Sequence, residues 1–305
     1  MATITAKDVA ALRAKTGIGM MECKKALVEA DGDMDAAIKI LREKGELKAE
    51  TKMATRITAD GLVDVLAENG KTAIVEVNTE TDFVAKNEKF QEFVKNLLKS
   101  IIANNPADVE ALLASDYEGT TVDAKLKELI FQIGEKITIR RFAIVDGVTS
   151  TYIHGMGSIG VIVNFDTDCA DKADFAEFAK NIALQVGAYP TPYLDKASVP
   201  ASVLEGEKEI IKSQLANDPK MAGKPEKVLQ GIIMGKLGKF YEENCLLDKE
   251  YVKDDSMKVK QYVAACAKEF GGKIEVVGFE RFEKGEGIEK RSDNLDEEVA
   301  KMLGK

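Results

Sequence analysis

The chain has 305 residues, 45% of them apolar and 31% charged, with a net charge of −9. That is the composition of a soluble globular protein with room for two or more cores, and the negative balance argues against a protein that grips a phosphate backbone, so no direct nucleic-acid partner is expected. No apolar run nears the roughly 18 residues a membrane helix needs, and four scattered cysteines beside a single histidine argue against a zinc centre and leave a histidine-based triad only one base.

Met1-Ala2-Thr3-Ile4 leads directly into a helical pattern, so no secretory signal is expected, and the unpaired cysteines fit reduced thiols in a cytoplasmic protein. Residues 1–45 are expected to form three short helices. The first starts near Thr5 with Asp8 three residues on, turns Val9, Ala11 and Leu12 inward and ends at Thr16-Gly17. The second holds Met21, Cys23, Ala26, Leu27 and Ala30. The third, capped by Asp33, carries Ala37, Ile38 and Leu41 on one stripe and ends at Lys44-Gly45. Ile18, Met20 and Met21 lie in a connection that the helix stripes do not require, which suits a small binding module; the alternative is a plain N-terminal cap on the fold. Residues 46–57 are charged, lack an apolar stripe and suit a linker.

Residues 61–68 and 71–77 flank Asn69-Gly70, the dipeptide whose turn matches the twist of paired strands. Thr81-Asp82-Phe83-Val84-Ala85-Lys86-Asn87 follows and leads into a helix reaching Asn104. Two readings compete at this corner. Thr81 or Asp82 caps the helix with a side-chain oxygen and Phe83 packs locally, or Phe83 points outward as a wedge for a partner. Shorter helices are expected near 109–113 and 122–133, then a strand over 136–145 turned by Asp146-Gly147.

A second hairpin joins 152–154 to 159–165 through Gly155-Met156-Gly157-Ser158-Ile159-Gly160. This matches a dinucleotide fingerprint, but a β-pattern follows it where that fingerprint needs a helix, so the glycines serve a turn. The hairpin leads to Thr167-Asp168-Cys169 and a helix with Phe175 and Phe178, much as the first leads to Thr81-Asp82-Phe83 and a helix with Phe90 and Phe93. The two stretches align with a one-residue gap, a weak internal repeat. Thr-Asp recurs, so helix entry explains it. Phe83 faces Cys169 in this alignment, so the scaffold does not require an aromatic there.

Past Pro190 and Pro192, residues 198–244 suit a helical hairpin, with Leu204, Ile211 and Leu215 lining one helix and Leu229, Ile232, Ile233, Leu237 and Phe240 the other. Gly231, Gly235 and Gly238 thin one side of the second helix for another helix to approach. A helix over 257–270, a strand over 273–282 and a small terminal helix over 295–303 complete the chain. The expected class is α+β: a three-helix N-terminal domain (1–45), a linker (46–57), a duplicated core of small antiparallel sheets with helices (58–147, then 148–197 with 245–283), a protruding helical hairpin (198–244) and a C-terminal module (284–305).

Three segments, Thr16-Gly-Ile-Gly-Met-Met-Glu-Cys-Lys-Lys-Ala-Leu27, Glu80-Thr-Asp-Phe-Val-Ala-Lys-Asn87 and Arg281-Phe-Glu-Lys-Gly-Glu-Gly-Ile-Glu-Lys290, resemble bacterial elongation factor Ts. The resemblance spans nearly the whole chain. It implies a ubiquitin-associated-like N-terminal domain, a coiled-coil hairpin and a guanine-nucleotide exchange factor for the GTPase elongation factor Tu, without covalent chemistry and without a cofactor or metal. It implies that Asp82 and Phe83, flanked by Thr81 and Val84, intrude beside the partner's magnesium and phosphate site. It implies further contacts through Leu12, Met20 and Met21 on the GTPase domain, and through His154 and Gly155 near the partner's third domain. The helical hairpin is expected either to touch the GTPase or to join two copies of the chain.

Overall fold

A computed structural model describes residues 4–16, 18–53, 56–221 and 223–289. Gly17 and the terminal helix expected over 295–303 lie outside the described residues. The first helix, α1 (Ala6–Thr16), opens with a reciprocal cap: Thr5 N–H donates to Asp8 Oδ2 at 2.9 Å and Asp8 N–H to Thr5 Oγ1 at 3.3 Å. It buries Val9 and Leu12, while Ala11 faces solvent. α2 (Met20–Glu29) buries Cys23, Ala26 and Leu27 but not Met21. α3 (Met34–Met53) begins where Asp33 Oδ1 accepts from Ala36 N–H at 2.8 Å. It runs through Gly45 rather than ending there. One interior glycine costs a helix only about 1 kcal/mol, and Glu46-Leu47-Lys48-Ala49-Glu50 are strong helix formers, so most of the expected linker is helix.

The first core unit comprises β1 (Asp60–Glu68), β2 (Lys71–Thr79), α4 (Asp82–Ala85), α5 (Glu88–Asn104), α6 (Val109–Ala114), β3 (Asp116–Tyr117), β4 (Thr120–Thr121), α7 (Val122–Ile133) and β5 (Ile137–Asp146). Asn69 and Gly70 both take positive φ, 53° and 75°, which closes the β1–β2 turn with the hand that paired strands need. The second unit comprises β6 (Val148–His154), β7 (Ile159–Thr167), α8 (Phe175–Ala188), α9 (Ala201–Asn217), α10 (Glu226–Asn244), β8 (Glu250–Tyr251), β9 (Asp254–Lys258), α11 (Val259–Phe270) and β10 (Ile274–Glu283). Residues 254–258, expected partly as helix, form strand β9, and neither of the two-stranded ribbons β3–β4 and β8–β9 stands out in the sequence.

The two units share one plan. Their sheets are ordered β1-β2-β5 and β6-β7-β10, all antiparallel, with the middle strand followed by the long helix and the third strand preceded by a ribbon and a helix. Both third strands carry a bulge at the matching place, skipping Arg140 in one and Val277 in the other. The difference lies between helix and ribbon, where the first unit has α6 and the second has the α9–α10 hairpin.

Each sheet turns one face to its own helices. Val75, Val77, Phe90, Phe93, Leu97 and Ile130 fill the first core; Val161, Val163, Phe165, Phe178, Ile182 and Val263 fill the second. The other faces meet each other through Val63, Ile74, Ile162 and Phe282, giving layers in the order helix, sheet, sheet, helix. The glycines of 155–160 do more than turn the chain. A Cβ on Gly157 would stand 2.9 Å from Leu62 and Val63, and one on Gly160 2.4 Å from Val63 Cγ1. Gly157 O also accepts from Val63 N–H at 2.7 Å, so the turn is stitched to the first sheet.

Candidate functional site

The register of the two sheets fixes which residues correspond. β2 and β7 each have nine residues, and Thr79 pairs with Ile137 as Thr167 pairs with Ile274. The next residue on each middle strand, Glu80 or Asp168, accepts from the backbone N–H of the lysine that opens the third strand, Lys136 or Lys273. Ten residues (80–89) then separate Thr79 from Phe90, against seven (168–174) between Thr167 and Phe175. Counting back from the two buried phenylalanines, Val84 and Cys169 occupy one place, and both are buried, 5% and 1% exposed. The first unit therefore has three extra residues: Thr81, Asp82 and Phe83. The one-residue gap expected from the sequence is corrected to three, and Cys169 is the counterpart of Val84, not of Phe83. The recurring Thr-Asp is a coincidence of letters rather than of position.

The capping expectation also changes. Neither Thr81 nor Asp82 caps a helix with its side chain. Asn87 Oδ1 accepts from Lys89 N–H at 2.9 Å and caps α5, while α4 starts uncapped. Thr81 instead aims both donors at Glu135: its N–H lies 3.1 Å from Oε2 and its hydroxyl 2.9 Å from Oε1. Asp82 is exposed and pairs with Lys86 one turn on, at 2.7 Å. That hydrogen bond holds its carboxyl below the usual carboxylate range. Phe83 is 77% exposed, with Lys86 Nζ 5.8 Å from its ring centroid, while Val84 beside it is a core residue. An aromatic ring on a one-turn helix, carried on a three-residue insertion, is thus presented outward on a fixed base.

His154 and Gly155 stand at the exposed end of the β6–β7 hairpin, where Tyr152 OH lies 2.9 Å from His154 Nδ1 and the neighbouring Met156 is 86% exposed. Lys284 joins this turn to the first sheet: its N–H donates to Ser158 O at 2.9 Å and its ammonium reaches Asp60 Oδ1 at 3.0 Å. In the N-terminal domain, Met20 and Met21 are exposed together with Val28. Leu12 and Ile18 are not: Leu12 is wholly buried in the three-helix core and Ile18 nearly so, and both support the surface that the methionines offer. Among the described residues no group of three metal-binding side chains comes together, and no helix is long and apolar enough to cross a membrane.

The model of the family described as Elongation factor TS matches residues 80–286. Curated relatives named Elongation factor Ts extend the similarity to the rest of the chain. That of Syntrophotalea carbinolica is 45% identical over 98% of this chain and 99% of its own length, that of Clostridium kluyveri 45% over 98% and 99%, and that of Clostridioides difficile 44% over 99% and 100%. The chain belongs to the elongation factor Ts family. Glu80, which holds Lys136 N–H, also pairs with Arg56 at 2.8 Å. The structure holds a second feature that the sequence alone did not expose.

That feature centres on Glu76, a fully buried carboxylate in β2. It accepts from Arg140 Nη1 at 2.9 Å, Arg141 Nε at 2.7 Å, Asn78 Nδ2 at 3.0 Å and Gly285 N–H at 2.8 Å. Burial alone would raise its carboxyl, but these donors outweigh it and the net shift is downward. Arg141 also pairs with Glu286 at 3.0 Å and lies over Phe282, 4.3 Å from the ring centroid, and Arg140 donates to Glu286 O. Gly285, at φ 71°, sits against Ala59 O with no room for a Cβ. The Arg-Phe-Glu-Lys-Gly-Glu run in this elongation factor Ts family member is therefore a clamp between the units. Residues 284–286, assigned by sequence to a separate C-terminal module, act as part of the core.

Proposed function

We propose that the chain is a guanine-nucleotide exchange factor that binds elongation factor Tu carrying GDP in the cytoplasm and releases the nucleotide during translation elongation. One observation carries the reading: Phe83 is 77% exposed on a tripeptide, Thr81-Asp82-Phe83, that the otherwise matching second unit does without. Inserted beside the partner's magnesium and phosphate site, Phe83 and Asp82 favour a nucleotide-free conformation. The chain makes and breaks no bond and needs no cofactor. Coupling of this kind is reciprocal: if the factor weakens GDP binding, GDP weakens factor binding by the same ratio. Burying Phe83 supplies roughly 1.5–3 kcal/mol, about one to two decades of affinity. The remaining distortion energy comes from the other contacts. We assign those to Met20 and Met21, and to the His154–Gly155 tip.

The test is GDP release from the purified GTPase with and without this protein. Wild type accelerates release; Phe83→Ala slows the stimulated rate by roughly tenfold to a hundredfold with an unchanged unfolding midpoint. Equal stimulation by a folded Phe83→Ala protein refutes the wedge. A complex whose affinity ignores added GDP marks a plain adaptor instead.

A second reading concerns the α9–α10 hairpin. Ile211, Leu215 and Leu237 bury its inner seam, but Ile210, Val228 and Met234 are exposed, and nothing lies within 4 Å of where a Cβ on Gly231 or Gly235 would stand. The thin side of α10 faces away from α9 and is open to a second copy of the chain. Sedimentation equilibrium of wild type and Met234→Lys tests this: a monomer at all concentrations ends it.

A further inference from the structure

We infer that Glu135 is the positioning residue of the Thr81–Phe83 insertion: its carboxylate locks the base of α4 and so fixes where Asp82 and Phe83 point. The inference rests on the exchange reading for its functional consequence and on geometry for its substance. Thr81 precedes the first residue of α4, with extended backbone (φ −128°, ψ 158°) and no capping bond of its own. Both of its donors go to Glu135, N–H to Oε2 at 3.1 Å and hydroxyl to Oε1 at 2.9 Å. On the other side of Thr81, its carbonyl accepts from Thr79 Oγ1 at 2.8 Å. Thr81 is thus held at three atoms, two of them by one side chain from a distant part of the chain. A carboxylate accepting two hydrogen bonds in a half-buried place is a firm anchor. The exposed one-turn helix beyond it is steadied on its far side by the buried Val84, the Asp82–Lys86 pair and a Gln91 Nε2 donor to Ala85 O at 3.1 Å.

The second unit supplies the control. Gly134 and Gly271 both end the helix before the third strand in the left-handed region, at φ 86° and 72°. The following residue is Glu135 in one unit and Gly272 in the other, and Lys136 and Lys273 come next. A Cβ on Gly272 would lie 2.3 Å from Asp168 Oδ1 and 2.5 Å from Cys169 Sγ, so without the insertion that place has no room for any side chain. In the unit with the insertion, the corresponding residue is Glu135, and its carboxylate holds Thr81. The insertion and its carboxylate are therefore one device, present together in the first unit and absent together from the second.

The experiment uses the full chain and two readouts. Amide hydrogen exchange at Thr81, whose N–H donates to Glu135, accelerates by roughly tenfold in Glu135→Ala, the cost of about one hydrogen bond to a charged group, while amides of β2 and α5 keep their protection. Stimulated GDP release falls by about the same factor. Glu135→Gln, whose amide oxygen still accepts from Thr81, restores most of both. Release by the triple variant Asp82→Ala/Phe83→Ala/Glu135→Ala equals that by Asp82→Ala/Phe83→Ala, because a residue acting through Asp82 and Phe83 has nothing left to position. Unchanged exchange at Thr81, or losses that simply multiply in the triple variant, overturn the inference. If Phe83→Ala itself leaves release unaltered, the exchange reading fails, and hydrogen exchange at Thr81 still decides what Glu135 does.

Discussion

Phe83 and Val84 are neighbours with opposite duties, and the contrast makes both testable. Val84 is a core residue beside Phe90 and Leu97. Val84→Ala should cost about 1–3 kcal/mol of stability through lost burial and a residual cavity, read as a lower denaturant midpoint with an unchanged slope. Phe83→Ala, at a mostly exposed position, should leave stability within about 0.5 kcal/mol. If Val84→Ala proves as harmless to folding as Phe83→Ala, the burial assignment at this corner is wrong. Asp82 is exposed, and the side chain it pairs with is Lys86. Asp82→Asn should therefore leave the unfolding curve in place, and any change in GDP release belongs to the partner contact.

At the level of elements, the duplicated plan predicts what the chain tolerates. Removing Thr81-Asp82-Phe83 and changing Glu135→Gly rebuilds the first corner in the form of the second. Such a variant should fold cooperatively, as judged by circular dichroism and a single denaturation transition, and should no longer accelerate GDP release. Removing the tripeptide while keeping Glu135 should be markedly worse, because the carboxylate then meets the shortened corner as a side chain on Gly272 would meet Asp168. The strands, the Asn-Gly hairpin and the stripes of α5 and α7 were legible in the sequence because each repeats a local signal: alternation, a turn dipeptide, or apolar residues three and four apart. The family motif around Phe83 was legible too. The three-residue insertion was not, because Thr81-Asp82 and Thr167-Asp168 share letters at positions that only the strand register separates. Comparing Gly134-Glu135-Lys136-Ile137 with Gly271-Gly272-Lys273-Ile274 would have pointed to Glu135. The continuation of α3 past Gly45 is not legible because a lone glycine resembles a helix stop, although in a helix interior it costs only about 1 kcal/mol.

Across the whole molecule, the Glu76 clamp couples the two sheets and should set how stability responds to acid. The carboxyl of Glu76 is lower in the folded protein than its ordinary value. Its contribution is then complete above the ordinary glutamate range and is lost as pH falls through the lowered folded value. The stability of wild type to denaturant should fall more steeply on acidification than that of Glu76→Gln, which lacks the titrating group. Glu76→Ala should cost about 3–5 kcal/mol, because Arg140 and Arg141 lose their buried counter-charge. Equal acid sensitivity of wild type and Glu76→Gln would remove Glu76 from this account.

The clamp also imposes an order on biosynthesis. The first sheet is complete when Asp146 has been made, but Gly285 and Glu286, which finish the surroundings of Glu76 and its arginines, follow some 140 residues later (286 − 146 = 140). At about 5–20 residues per second, that wait is on the order of ten seconds. Through it, the nascent first unit shows Val63 and Ile74 to water and has Glu76 only partly satisfied. A chain that ends after Gly147 should therefore be a folded but sticky unit, one whose apolar sheet face a hydrophobic dye detects and the finished chain covers.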